Sequence, residues 1–134
     1  MKPTLLDTDT LSFYLRHHPA VREKAESYMR QHRQLSISLI SQYEVLHGLY
    51  YRDARRQLAG FEQLLAIHHV LPLTSESVEL SARIFAELRR TGQPIGHTDT
   101  LIAGVALTHG MQLATNNTAH FERIAGLELA NWVL

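Results

Sequence analysis

The sequence predicts an α/β fold of three layers, α/β/α, with a central, mostly parallel sheet flanked by helices. Three observations predict it. Short apolar stretches of strand length alternate with amphipathic stretches of helix length along the whole chain. The connections between the strand-like stretches are too long for hairpins, so neighbouring strands run parallel and cross over through helices. The first apolar stretch, Thr4-Leu5-Leu6, lies at the very start and is most easily buried as a central strand.

In order, Thr4–Leu6 is the first strand, and Thr10 to Arg16 is a short helix ending near His17-His18-Pro19. Pro19 suits the first turn of a second helix, Ala20 to about Gln31, with Val21, Ala25 and Met29 four apart on one face. Leu35 to Ile40 alternates apolar and polar and predicts a strand. Ser41-Gln42-Tyr43-Glu44 opens a helix to about Tyr50, and Arg52 to Ile67 forms another. Val70-Leu71-Pro72-Leu73 is an edge strand, since Pro cannot serve a central one. Ser75 to Arg90 is a long amphipathic helix with Val78, Ala82, Phe85 and Leu88 expected inward, stopped by Thr91-Gly92-Gln93-Pro94. Thr98 to His109 is an apolar helix closed by Gly110, in which Ala103-Gly104 allow close backbone approach. Met111–Thr115 is a strand, Thr118 to Ile124 a short helix and Leu127–Leu129 a last strand. No repeat, low-complexity tract or linker interrupts the chain, so residues 1–134 are expected to form one domain.

Composition narrows the chemistry. With no cysteine, disulfides, zinc ribbons and thiol catalysis are excluded, and a reducing, cytoplasmic setting is the expectation. The N-terminal apolar run is too short for a signal peptide, and no run reaches membrane length, so no membrane association is expected. Thirteen basic residues balance thirteen acidic ones, which does not advertise a nucleic-acid partner. Eleven of the thirteen are Arg, the side chain better suited to phosphate contacts, a slight pointer the other way. The nine His include no H-E-x-x-H metal motif.

The acids carry the functional argument. Only four Asp exist, and two of them, Asp7 and Asp9, follow the first strand directly. The carboxyl end of a parallel strand opens into the crevice where such sheets place ligands. Asp9 or Thr8 can equally cap the following helix. Glu44 has two readings as well: Ser41-x-x-Glu44 is a capping box, and a carboxylate in the first turn after a strand also lies at the carboxyl edge of the sheet. Asp99 follows Thr98, an expected N-cap, and is favoured there by the helix dipole. Yet the helix it opens is apolar almost all round, and a buried carboxylate needs a partner or a cation. Asn117, in Thr115-Asn116-Asn117-Thr118, closes a strand and either caps the next helix or faces the crevice; Glu122 follows within reach. Asp7, Glu44 and Asp99 thus converge on one sheet edge and repel one another unless something positive lies between them. The only lysines, Lys2 and Lys24, are poorly placed to provide it. A divalent ion with oxygen ligands, Mg²⁺ or Mn²⁺, answers this and suits hydrolysis of a phosphodiester.

Four motifs, Leu-Leu-Asp-Thr-Asp-Thr-Leu-Ser from Leu5, Ser-Gln-Tyr-Glu-Val-Leu-His-Gly-Leu from Ser41, Pro-Ile-Gly-His-Thr-Asp-Thr-Leu-Ile-Ala-Gly from Pro94 and Thr-Asn-Asn-Thr-Ala-His-Phe-Glu-Arg-Ile from Thr115, resemble in order and spacing the PIN-domain toxins (VapC) of bacterial VapBC toxin–antitoxin pairs. The resemblance implies a PIN-like fold and a Mg²⁺- or Mn²⁺-dependent endoribonuclease. It points to the anticodon region of transfer RNA as target, to a cognate VapB-like antitoxin as partner, and to a homodimer. Its three acids fall on Asp7, Glu44 and Asp99, with the metal on Asp7 and Asp99. The fourth acid falls on Asn117, a departure that puts a second metal in question unless Glu122 or Asp9 assists. His97 stands where an aromatic residue is more usual, and contact with RNA and simple exposure are both open to it. Arg83, Arg89 and Arg90 read better as a solvated helix face than as phosphate contacts.

Two alternatives compete. Asp7-x-Asp9 after a strand also resembles the nucleophile loop of haloacid dehalogenase-type phosphatases, which need a downstream Lys and a late acidic pair that this chain lacks. The other is a non-catalytic RNA- or partner-binding PIN-like module with a decayed site, which the Asn117 departure permits.

Overall fold

Thr4–Leu6 (β1) is the middle strand of a five-stranded, wholly parallel sheet in a computed structural model that describes residues 1–134. Thr8–Leu15 (α1) and Pro19–His32 (α2) lead to Ser36–Ser38 (β2), then Leu39–Tyr51 (α3) and Arg55–Ile67 (α4) to His69–Leu71 (β3). Ser75–Arg90 (α5) and His97–Thr108 (α6) return the chain to Gln112–Ala114 (β4), and Thr118–Phe121 (α7) precedes Leu129–Ala130 (β5). The strand order is β3-β2-β1-β4-β5. The predicted α/β/α layering holds, and the sheet is parallel throughout.

Alternation along β1 divides the core in two. Leu6, with Ile37 and Ala114 in register beside it, faces one layer with Leu11, Val21, Tyr28, Phe61 and Trp132. Leu5, paired with Leu113, faces the other with Leu88, Ile102, Val105 and Phe121. Both leucines are fully buried, as a two-sided central strand requires.

Some elements differ from the sequence expectation. The strand expected over Leu35–Ile40 stops at Ser38, because the Ser38 hydroxyl accepts the Ser41 N–H (3.1 Å) and so starts α3 two residues before Ser41. The inward stripe of α5 is Ser77, Ser81, Ile84 and Leu88, rather than Val78, Ala82, Phe85 and Leu88. Val78 is exposed, since small polar residues line the face that meets α6. Gly104 is the reason. A Cβ there would lie 1.9 Å from Ser81 Oγ and 2.7 Å from the Ser77 carbonyl oxygen, so α5 and α6 cross at near backbone contact. The expected N-cap of α6 also shifts, from Thr98 to Gly96, which offers no side-chain cap.

Gly104→Ala is therefore expected to destabilise the fold by about 1–3 kcal/mol, through overpacking. Gly60, exposed in α4 with open space around its Cα, predicts the opposite: Gly60→Ala should stabilise by about 0.5–1 kcal/mol. Urea unfolding with a common m-value checks both.

Candidate active site

The site forms where the connectivity of the sheet reverses. From β1 the chain winds outward through β2 to β3, then returns across the sheet to β4 on the other flank. The crossovers diverge above the carboxyl ends of β1 and β4 and leave a crevice between them. Asp7 follows β1 directly. Its N–H continues the ladder to the Ala114 carbonyl (3.0 Å), and the Thr10 hydroxyl donates to that same carbonyl at 3.0 Å. Asp7, rather than Thr8 or Asp9, caps α1, accepting the Thr10 N–H at 2.8 Å. It is 3 % exposed.

Glu44 enters from α3. Because Ser38 is the cap, the expected Ser41–Glu44 capping box does not form, and Glu44 lies in the second turn with its side chain directed elsewhere. Its Oε1 accepts the Thr8 hydroxyl at 2.6 Å, and that hydroxyl lies 2.9 Å from Ser41 Oγ. Thr8 has one proton to give, and Glu44 takes it, so Ser41 donates to Thr8. A hydroxyl relay from α3 through α1 thus holds the carboxylate. Asp99 enters from the first turn of α6, half-buried. Asn117 follows β4, with its N–H on Thr115 Oγ1 (2.9 Å) and its amide nitrogen 2.8 Å from His120 Nδ1. It stands at the N-cap of α7 but makes no capping bond with its side chain.

Asp7, Asp9, Glu44, Asp99 and Asn117, from four separate segments, line one pocket of about 70 Å³ together with Thr8 and Phe121. Glu122 does not join them. Phe121 turns into the pocket and the core, so the next residue, about 100° further round a helical turn, points to solvent. The roles of the Thr8, Ser41 and Thr115 hydroxyls are not legible in the sequence, because Thr8 and Thr115 contact acids far away in the chain and Ser41 acts through Thr8. His97 is exposed and stacks on Phe85, with ring centres 4.2 Å apart. Arg83 and Arg90 pair with Glu79 and Glu87 on the outer face of α5, as a solvated helix face should.

No cation serves these acids. The ion pairs of the fold are Lys2–Glu128, Arg55–Asp53, Arg83–Glu79 and Arg90–Glu87, all on exposed surfaces. Burial pushes the Asp99 carboxyl up to about 6, with the charges of Asp7, Glu44 and Asp9 adding in that order and His120 opposing. Burial also raises Asp7, assisted by Asp9 and opposed by hydrogen bonds from Thr115 and Thr10. The donor set is oxygen-only, anionic and uncompensated, which fits a hard divalent cation. No three acidic or histidine side chains are placed to hold one ion between them, so an ion here would rest on one or two carboxylates and water, as Mg²⁺ commonly does. The pocket also lacks the lysine that a phosphatase of the competing class requires.

The model of the PIN domain family matches residues 4–127 of the chain. A Shigella flexneri protein named tRNA(fMet)-specific endonuclease VapC is 33% identical over 130 residues, 96% of each chain. A Salmonella typhimurium protein of the same name is equally similar, again over 96% of both. Among solved structures, the DNA-bound VapBC of Salmonella typhimurium contains a chain that superposes with a TM-score of 0.87 at 32% identity, covering 98% of this chain and 99% of that one.

The raised Asp99 carboxyl has a consequence for stability. It is easier to protonate folded than unfolded, so its contribution is fully present below its ordinary value of 3.8 and is lost as pH rises through about 6. Asp7 acts in the same sense. His68, whose half-buried ring is held below its ordinary value by desolvation, acts oppositely: its contribution is present at neutral pH and lost on acidification. The Asp99→Asn variant should melt above the wild type at pH 7.5 in EDTA, with the gap closing by pH 4. Mg²⁺ or Mn²⁺ should raise the wild-type melting temperature at pH 7.5 and leave the variant's unmoved. Thermal melts over that pH range check this.

Proposed function

The chain belongs to the PIN-domain family and to its VapC group, and from that membership we propose that it is a metal-dependent endoribonuclease, the toxin of a type II toxin–antitoxin pair. The observation that carries the reading is the pocket itself: Asp7, Glu44 and Asp99, remote in sequence, line one cleft that contains no cationic side chain. In this reading Asp7 and Asp99 hold Mg²⁺ or Mn²⁺, with water completing the shell and Asn117 available as a neutral oxygen ligand. The bound ion would screen the charge of the RNA phosphate and make a water more acidic. Glu44, one oxygen fixed by Thr8, would keep the other free to orient a water or meet the ion. Asp9, exposed at the rim, adds charge without a fixed partner.

The two relatives whose names specify tRNA(fMet) span nearly all of this chain, which supports initiator transfer RNA as the substrate here. A VapB-like antitoxin is the proposed partner, with an extended segment laying a basic residue, such as Arg, among the acids. A homodimer and a cytoplasmic location are part of the same proposal. No helix is long and apolar enough to cross a membrane.

Asn117 keeps a second reading in play, a non-catalytic RNA- or partner-binding module. Cleavage separates the two. In Mg²⁺ or Mn²⁺ the wild type should cut initiator tRNA at one position, read by sequencing the 5′ ends of the fragments, and EDTA should stop it. Asp7→Asn, Glu44→Gln and Asp99→Asn should each lower kcat/KM by at least about 100-fold, the upper end of the loss usual for an outer-shell partner. RNA binding that persists without any metal-dependent cleavage establishes the second reading instead.

A further inference from the structure

The acids of the pocket leave one chemical requirement unmet. An RNA phosphate approaching four carboxylates needs a donor on the opposite side, and none of the pocket-lining residues is a cation. One side chain at the rim has the right character. His120, exposed on α7, lies with its Nδ1 2.8 Å from the Asn117 amide nitrogen. An amide NH₂ only donates, so Nδ1 accepts and the ring proton is placed on Nε2. Asn117 therefore does for His120 what an orienting carboxylate or carbonyl does for many functional histidines, but it fixes the opposite tautomer. The ring stays beside the acids because Asn117, to which it is bonded, lines the pocket with Asp7, Glu44 and Asp99. One turn on, Arg123 is anchored to the Pro94 carbonyl at 3.2 Å, tying α7 to the loop that delivers Asp99. That tie fixes the His120 rim relative to the acids.

We propose that Asn117 and His120 form a substrate-binding pair in which Asn117 orients the imidazole and His120 donates from Nε2 to a phosphate oxygen of the bound RNA. The amide at position 117 is then a working part of the site. A carboxylate there would accept Nδ1–H and leave Nε2 of the neutral ring as an acceptor, with no proton to offer a phosphate oxygen. The inference rests on the nuclease reading above, and its test separates the two.

The probe is a fluorescein-labelled anticodon stem-loop of initiator tRNA. In the Asp99→Asn background and EDTA, where nothing is cut, His120→Ala should weaken binding about 3- to 10-fold, the size of a typical net hydrogen bond. His120→Gln, which places an amide N–H near the position of Nε2, should recover most of that loss. His120→Glu should bind worse than His120→Ala. Asn117→Ala should weaken binding by itself and add little to His120→Ala, because two residues acting as one unit are not additive. With the Asp99 side chain restored and Mg²⁺ present, His120→Ala should raise KM more than it lowers kcat. Binding by His120→Ala equal to that of its parent, or independent effects at the two positions, overturns the pair and leaves the nuclease assignment standing. A wild type that cuts neither this RNA nor total tRNA in either metal overturns the nuclease assignment and the pair with it.

Discussion

Like-charge repulsion between buried carboxylates is the constraint from which the rest of this structure follows. Asp7 is almost wholly buried and Asp99 half-buried; burial makes both harder to ionise, with Asp9 adding its charge at Asp7, and Asp7, Glu44 and Asp9 adding theirs at Asp99. No Lys or Arg side chain within the fold pairs with them. Such an arrangement is unfavourable in isolation. It persists because each acid is fixed by the backbone to an element that is stable for other reasons. Asp7 caps α1 directly after a central strand, and Asp99 begins a helix whose next turns are core. The sheet and its two apolar layers hold the acids where their own electrostatics would not.

The parallel sheet makes such a site available at one place. With β1 in the middle and the order reversing between β1 and β4, the two loops that leave those strands are forced apart, and only there can a side chain be buried at its base and open at its tip. Asp7 and Asn117 occupy those two loops. Glu44 and Asp99 reach the same point from α3 and α6, which meet there although α3 buries Val45 and Leu49 in one layer and α6 buries Ile102 and Val105 in the other. The close approach of α5 to α6 at Gly104 seats α6 deeply, so the polar first turn of an otherwise apolar helix emerges at the crevice floor.

Much of this was legible in the sequence because it depends on local pattern. The central strand, the helix order and the membership of Asp7, Glu44 and Asp99 in one edge follow from apolar periodicity and from where acids interrupt it. What was not legible depends on contacts between distant segments. Ser41-x-x-Glu44 satisfies every local requirement of a capping box, yet Ser38 captures the cap one turn earlier and frees Glu44 for Thr8. The inward face of α5 is not legible locally, because Val78 and Phe85 are the more apolar residues, whereas closeness to Gly104 demands small ones. Glu122 looked near enough in sequence, but the rotation of a four-residue helix turns Phe121 in and Glu122 out.

The groups that hold the acids bear on how the pocket is meant to be filled. Asp7 is held by the Thr10 amide and the Thr115 hydroxyl, and Glu44 by a hydroxyl relay from Ser41 through Thr8. All are neutral donors. A lysine or arginine in their place would relieve the repulsion far more effectively and would raise the stability of the empty fold. It would also occupy the position at which a cation is wanted and cancel the field that attracts one. Neutral donors fix the geometry of a carboxylate while leaving its charge unspent, so the strain that remains in the folded chain is available to any cation that enters. The cost in stability and the affinity for an incoming cation are two faces of one electrostatic term, and relieving the first from within the chain necessarily weakens the second.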